Sequence, residues 1–384
     1  MTSRNLTGLD VSLLGFGLMR LPRNPEPPYD IAEAKATALI DYALAHGINY
    51  FDTAYTYGGS EAFAGRALSR HPRESYYLAT KCPPWKIKKP QDFDRIFNEQ
   101  LAACQADYFD FYLVHNFAEE NKRANTNNES YDHFVRIGMY DRLMELKAAG
   151  KIRRVGFSFH GTPTLLRKLV ANYKWDFAQI QLNYIDRTAT EAQLQYDILT
   201  EAGIPISIME PLRGGTLATL TPEAAALLTA KNSAASVASW GIRYAASFPN
   251  IFTVLSGMNE MEQLTDNIAT LSDFVPVTEA EKELLYEAAI IYSKSGAVPC
   301  TGCEYCLPCP VGLNIPRNFA IYNHAKTVGF RIPFDNGYAT LSDEERASAC
   351  ISCGACINKC PQHLEIPDFL KEVTEFSKNK EGAL

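Results

Sequence analysis

The sequence predicts an α/β chain in two parts: a closed (β/α)8 barrel, then a small, mainly helical, cysteine-rich domain. Three observations carry this expectation. Eight short apolar runs alternate with helix-length segments up to Val277. The alternation stops at Thr278. Eight of the ten cysteines then crowd into the last quarter of the chain. These features divide the chain into 1–277 and 278–384.

The runs come in a regular order. LLGFGLM begins at Leu13, NYFDTA at Asn49, YYLATK at Tyr76 and FDFYLVHN at Phe109. RRVGFSF begins at Arg153, FAQIQLN at Phe177, PISIME at Pro205 and IFTVLSG at Ile251. Few positions alternate with polar residues, as expected of strands buried on both faces. Between the first two runs, residues 31–46 place Ile31, Ala34, Ala38, Leu39 and Tyr42 on one helical face, and Gly47 follows as a stop. Helices are likewise expected over 140–149, 162–172, 191–202 and 234–246. Helix-length connections impose parallel pairing. Eight such units close into a TIM barrel, whose active site lies at the C-terminal strand ends. The polar stretch 117–136 follows the fourth strand and is expected to overhang that site. Residues 279–293 read as a linking helix.

Composition narrows the function classes. The chain has 384 residues, 46% hydrophobic and 21% charged, with a net charge of -7. That balance argues against a nucleic-acid surface, which needs clustered cations. Lys86, Lys88 and Lys89 read as a solvated loop. No apolar run approaches the roughly 20 residues of a membrane helix. The N-terminus has neither the apolar core nor the cleavage site of a signal peptide. The expected compartment is the cytoplasm, where clustered cysteines bind metal more often than they pair. Cys82 and Cys104 stand alone and read as buried free thiols.

The clustered cysteines form two groups. Cys300, Cys303, Cys306 and Cys309 end in Pro310; Cys350, Cys353, Cys356 and Cys360 end in Pro361. Four soft thiolates favour iron–sulfur or zinc. Three close ligands and a fourth before proline match the bacterial ferredoxin pattern. The second group fits it in full; the first is one residue short before its last cysteine. CPVGLNIP and CPQHLEIP then repeat Cys, Pro, Leu, Ile and Pro at equal offsets, which points to a duplicated unit. In two-cluster ferredoxins the fourth cysteine serves the other cluster. Carried over, Cys300, Cys303, Cys306 and Cys360 hold one 4Fe-4S cluster, and Cys350, Cys353, Cys356 and Cys309 the second.

The barrel part carries its own chemistry. Asp52 and Tyr57 close the second run, Lys81 the third and His115 the fourth. Ionisable groups at the ends of apolar strands are costly unless paired. A phenol is a poor acid at neutral pH, and a neighbouring ammonium favours its ionised form. Lys81 can supply that charge and Asp52 can hold Lys81. Tyr57 then suits proton donation to a carbonyl oxygen that gains negative charge, with His115 orienting the carbonyl. Trp85, Phe117, Tyr55 and Phe159 are candidates for an apolar substrate pocket.

Over roughly residues 5–272 the sequence resembles the aldo/keto reductase superfamily. The resemblance rests on VSLLGFGLMRLP, on FDTAYTYGGSE, and on Lys81 and His115 at their strand ends. It implies that Asp52, Tyr57, Lys81 and His115 are the catalytic tetrad. It also implies an extended nicotinamide cofactor, NADP(H) by default with NAD(H) as the alternative. Ser158 and Gln179 would hold the carboxamide, with Phe159 where the family has Asn. Met209 takes the place of the stacking aromatic. The run Glu210, Pro211, Leu212, Arg213, Gly214 and Gly215 would wrap the pyrophosphate, with Arg213 a bidentate donor. Ser256, Gly257, Met258, Gln263 and Asn267 would meet the adenosine, and Gly17 and Met19 are further carried-over contacts. Glu260, Glu262 and Asp266 stand where NADP(H)-preferring members offer cations.

The expected activity is reduction of a small carbonyl compound to an alcohol. The rival is a non-catalytic sensor or electron carrier that uses the barrel as a docking module. Hydride transfer moves two electrons and a cluster one. The clusters therefore either serve an electron-transfer partner, stabilise the tail, or sense redox state.

Overall fold

The computed structural model describes residues 1–26, 29–118 and 131–379. All eight expected runs form strands. A hairpin that the sequence reading did not anticipate precedes them: β1 (Ser3–Leu6) and β2 (Leu9–Ser12) pair antiparallel. The barrel strands are β3 (Leu14–Gly17), β4 (Tyr50–Asp52), β5 (Tyr77–Cys82) and β6 (Phe109–Phe117). They continue as β7 (Ile152–Phe159), β8 (Phe177–Gln181), β9 (Ile206–Met209) and β10 (Ile251–Ser256). They close in sequence order, with β10 beside β3, and every barrel pairing is parallel.

The hairpin has a sequence signal after all. Thr7 and Gly8 both adopt positive φ, the requirement of a two-residue hairpin turn. Arg4 anchors it through its guanidinium to the carbonyls of Ala246 and Phe248, at 2.7 and 2.9 Å. Leu6 and Val11 then join Tyr50, Phe111, Phe177 and Phe252 in one buried cluster. Gly156 makes room for it: a Cβ there would stand 2.5 Å from the Phe177 ring.

The expected helices also form. Glu33–Ala45, Met139–Ala148, Pro163–Asn172, Ala192–Glu201, Val237–Ala246 and Glu279–Ser293 match the periodic segments, but the first buries Ala36, Leu39, Ile40 and Ala43, so of its expected face Leu39 is buried while Ala34 and Ala38 are exposed. The polar stretch after β6 falls largely outside the described residues; its end is the helix Tyr131–Arg136. Among the described residues no helix is long and apolar enough to cross a membrane.

The chain separates into two compact units. One contains β1–β10; the other contains residues 212–240 together with those from 278 onward. Within the second unit, helices Ile315–Val328, Ile332–Ala339 and Ile366–Lys378 enclose a small core. The sequence repeat builds it. Leu313 and Leu364, Ile315 and Ile366, and Phe319 and Leu370 are all buried in that core. Each repeat turns into a helix at the same place, with Pro316 and Pro367 in the first turn, where a missing N–H costs nothing.

Candidate functional site

Strand register brings the four ionisable residues together. Asp52 pairs with Ala79, so Lys81, two residues on, emerges on the same face of the sheet. Lys81 pairs with Leu113, so His115 does the same one strand further. Ser158 pairs directly with Gln179, and Gly17 with Asp52. Asp52, Lys81 and His115 are thus delivered by three successive strands to one end of the barrel, and Tyr57 by the turn after β4.

The contacts are close. Lys81 and Asp52 form a buried ion pair, 1% and 3% exposed. Lys81 Nζ also donates to the Thr53 carbonyl at 2.9 Å. The same ammonium lies 4.9 Å from the centre of the Tyr57 ring. The His115 ring meets that ring edge-on at 5.9 Å. Tyr57 itself is half-buried in the turn after β4. Burial pushes the Asp52 carboxyl up and the Lys81 ammonium down, and their mutual attraction opposes both shifts. Burial, then the charges of Lys81 and His160, hold the His115 imidazole well below its ordinary range. His115 is therefore a neutral ring at pH 7.

A second buried network stands behind Lys81. Glu61 accepts from Thr80 Oγ1 and from Gln100 Nε2, both at 2.6 Å. Gln100 Nε2 also donates to the Lys81 carbonyl at 3.1 Å, and Tyr112 donates to Gln100 Oε1 at 2.6 Å. Burial raises the Glu61 carboxyl, while its hydrogen bonds and Lys81 pull it down. Sequence reasoning passed over Glu61 and Gln100. The available signal was a carboxylate among Ala64, Phe63 and Ala67 on a buried helix face. Cys82 and Cys104 are buried as expected, and burial pushes the Cys82 thiol up to about 12, which leaves it inert.

The residues expected to hold the carboxamide sit side by side. Asn116 donates its backbone N–H to Ser158 Oγ at 3.0 Å. Gln179 Nε2 reaches Asp52 at 3.4 Å. Among the described residues, Gln179 Oε1 and Asn116 Oδ1 are buried acceptors without a hydrogen-bond donor. An amide –NH2 is the group that would satisfy them. These acceptors thus fit the –NH2 of a nicotinamide carboxamide. Asn116 was missed; its signal was an Asn directly after the strand-end histidine.

Other expected contacts are placed as follows. Gly17 and Met19 lie at and just beyond the end of β3, and Met209 ends β9. Glu210 faces Arg20 at 3.6 Å, and Pro211 is buried beside it. Ser256 Oγ accepts from Asn267 Nδ2 at 3.0 Å, both buried. Gln263 caps its helix through the Asn259 and Glu260 N–H groups. Gly257 is exposed and packed by the Arg20 stem, whereas Met258 is buried. Lys35 pairs with Glu260, a cation that the local sequence did not reveal. Leu212, Arg213, Gly214 and Gly215 belong to the second compact unit, where Arg213 bonds to Pro299 and Gln362. Of the four pocket candidates, Phe117 and Phe159 are core, Tyr55 bonds to Glu99, and Trp85 lies 5.5 Å from the His115 ring.

In the second unit the eight thiols surround two apolar cavities. Cys300, Cys303, Cys306 and Cys360 line the first, with Ile315, Phe319 and Ile366. Cys309, Cys350, Cys353 and Cys356 line the second, with Leu313 and Leu370; Cys306 touches both. The Gly302 N–H points at Cys300 Sγ and the Ser352 N–H at Cys350 Sγ, each at 3.4 Å. Burial pushes the Cys306 thiol up, and Cys303, Cys300 and Cys360 push it the same way. Among the described residues no three ligand side chains meet at one point as around a single ion. Thiols spaced around a hollow, with N–H groups aimed at sulfur, fit a four-iron cubane.

The aldo/keto reductase family profile matches residues 13–288. This chain belongs to the aldo/keto reductase family. A 4Fe-4S dicluster domain profile matches residues 299–364, so the family barrel here carries an iron–sulfur tail. Among curated aldo/keto reductase relatives, the L-galactose dehydrogenase of Arabidopsis thaliana is 26% identical over 308 residues, 74% of this chain and 92% of its own. The NADH-specific methylglyoxal reductase of Escherichia coli K12 is 25% identical over 330 residues, 74% and 96% of the two chains. The holo form of an aldo-keto reductase from Bacillus halodurans superposes with a TM-score of 0.59 at 24% identity, covering 75% and 96%. That likeness shows the shared fold.

Proposed function

We propose that this chain is an NAD(P)H-dependent reductase of small aldehydes or ketones, with two 4Fe-4S clusters in its tail. The single observation that carries the reading is the Lys81 ammonium, bonded to Asp52 and set 4.9 Å from the Tyr57 ring. The nicotinamide, when bound, supplies the hydride. Asp52 fixes Lys81. Lys81 stabilises the phenolate that Tyr57 leaves after giving its proton to the new alkoxide. His115 donates an imidazole N–H to the carbonyl oxygen and so orients it. Asn116, Ser158 and Gln179 hold the carboxamide. Met209, Glu210, Pro211, Gly17 and Met19 would follow the rest of the dinucleotide, and Ser256, Gly257, Met258, Gln263 and Asn267 its adenosine end. Lys35 is paired with Glu260, so NADP(H) is taken as the family default, with NAD(H) as the alternative.

In the tail, Cys300, Cys303, Cys306 and Cys360 take one cluster and Cys309, Cys350, Cys353 and Cys356 the other. Cys353 is exposed and Ile351 beside it is 64% exposed, so the second cluster faces solvent, where a partner protein can exchange electrons.

Anaerobically purified protein should hold about eight iron and about eight sulfide per chain. It should then oxidise NADPH faster than NADH in a carbonyl screen. Methylglyoxal with the reduced nicotinamide, and L-galactose with the oxidised one, are apt first pairs, because one relative is named a reductase of the former and another a dehydrogenase of the latter. Failure to turn over any carbonyl with either cofactor would end the reductase reading. The pH profile adds a check. Because the folded-state pKa of His115 is depressed, the ring stays neutral as pH falls through about 6.5. The kcat/KM profile should show no His115 inflection there, only a loss further into acid. An inflection near pH 6.5 that vanishes in His115→Gln would reject the neutral donor.

A further inference from the structure

We propose that Glu61 is a positioning residue for Lys81: from behind the barrel wall it anchors the strand end that carries Lys81 and sets a second negative charge near the ammonium. This role presupposes the reductase reading above, in which that ammonium supports Tyr57.

Thr80 and Lys81 are neighbours on β5, so their side chains leave opposite faces of the barrel wall. Lys81 meets Asp52 inside. Thr80 meets Glu61 and Gln100, which stand on the outer helices Ser60–Leu68 and Pro90–Ala103. Thr80, Gln100 and Tyr112 are fully buried, and Glu61 is 8% exposed. The Thr80 hydroxyl and the Gln100 amide both donate to Glu61 Oε1 at 2.6 Å. The same amide donates to the Lys81 carbonyl at 3.1 Å, and Tyr112 fixes its other end by donating to Gln100 Oε1 at 2.6 Å. Glu61 thus holds the amide that holds the Lys81 backbone.

A neutral side chain would serve for anchoring alone. Glutamine at 61 would offer Thr80 and Gln100 the same acceptor without the cost of burying a carboxylate. Both of those donors are neutral, so neither explains the charge. Lys81 does. Burial pushes the Lys81 ammonium down, and Asp52, then Glu61, hold it up. Burial likewise pushes the Glu61 carboxyl up, and its hydrogen bonds, then Lys81, pull it down. Glu61 also acts on the Cys82 and Cys104 thiols and the Tyr112 phenol. Burial raises all three and the Glu61 charge adds to it, so they stay neutral at pH 7. Lys81 itself faces Asp52 on β4, Tyr57 in the turn after it and the neutral His115 on β6, and His160 acts on His115. Lys81 is therefore a cation between two carboxylates, Asp52 within the barrel and Glu61 behind its wall.

An anion near Lys81 and Tyr57 makes the pair hold its proton to higher pH. Without the Glu61 charge the pair gives that proton up earlier, and the alkaline loss of kcat/KM begins at lower pH.

The test is the pH profile of kcat/KM for the anaerobic holoprotein, with NADPH and the carbonyl that wild type reduces fastest. In Glu61→Gln the alkaline limb should move down by about 0.5–1 unit, less than the roughly 1–3 units of a charge in direct contact, so that kcat/KM at a fixed pH on that limb falls about 3–10-fold. NADPH affinity should be unchanged, and Glu61→Asp, which keeps the charge, should return the limb most of the way. A carboxylate that only braces the fold would leave the limb in place, and an unmoved limb in folded Glu61→Gln overturns the role. Should that variant fail to fold, Gln100→Met keeps the charge and cuts the tie to the Lys81 carbonyl. It should lower kcat by about tenfold with KM unchanged, and a wild-type kcat there overturns the role equally. The coupling is also readable without turnover. At about pH 8 the change in the barrel's thermal midpoint from Glu61→Gln should be less favourable in wild type than in Lys81→Met, and equal changes in the two backgrounds overturn the role. A wild type that reduces no carbonyl, with that difference present, would instead sink the reductase reading and leave the Glu61–Lys81 coupling standing.

Discussion

Tyr57→Phe should lower kcat/KM for carbonyl reduction by about 10²–10⁴-fold, the usual worth of a positioned acid. The substitution removes one hydroxyl and keeps the ring. The edge-on packing against His115 and the stacking of the Lys81 ammonium both involve the ring, so both survive. Nucleotide affinity should therefore be unchanged, and a fluorescence titration with NADPH would show it. Loss of rate with retained binding separates a proton donor from a structural tyrosine. It also separates the enzyme from the electron-carrier alternative, in which the hydroxyl has no task. A variant that reduces carbonyls at the wild-type rate would remove Tyr57 from the reaction. Tyr55, two residues earlier, is a matched control: its hydroxyl is committed to Glu99 at 2.8 Å.

The architecture was legible because it is written in local patterns. Eight apolar runs with helix-length spacers have few topological solutions, and right-handed parallel closure is the common one. The gathering of Asp52, Lys81 and His115 was legible for a related reason. An Asp, a Lys and a His that each end an apolar strand have no cheap burial except with one another. The grouping of the thiols around two cavities was legible in the cysteine spacing, a visible repeat and the two-cluster ferredoxin pattern. What the sequence hid depends on side chains meeting across long chain separations. Glu61 and Gln100 look like ordinary helix residues until their helices stack behind β5. Lys35 lies 225 residues from Glu260, so no local reading pairs them. Arg213 is the sharpest case. Its sequence neighbours pointed to a pyrophosphate loop, and its recorded bonds lead to the cysteine-rich tail. The hairpin was hidden for the opposite reason: its strands are four residues each and carry polar side chains, so its only cue was the turn.

Lys81→Met should be the most damaging barrel substitution, because it acts on folding and on chemistry together. Removing one member of a buried ion pair strands the other, at a cost of about 3–5 kcal/mol. Here the stranded group is Asp52, 3% exposed, with Gln179 at 3.4 Å as its remaining side-chain contact. The Asp52 carboxyl is already raised by burial, and Lys81 is the main influence holding it down. In the variant its folded pKa climbs further. A raised folded pKa means that the group stabilises the fold below its unfolded pKa, about 3.9. That contribution is lost as pH rises through the folded pKa. The deficit of Lys81→Met relative to wild type should therefore grow from pH 5 to pH 8, read as the barrel's thermal midpoint by circular dichroism under anaerobic conditions. Asp52→Asn combined with Lys81→Met removes the stranded charge and should recover much of the stability, and none of the activity. That split is the useful result. If the double variant regained reductase turnover, the positive charge beside Tyr57 would have no part in proton transfer. If the single variant were as stable as wild type at pH 8, Asp52 would already be protonated in the native protein, and the pair would be a neutral hydrogen bond.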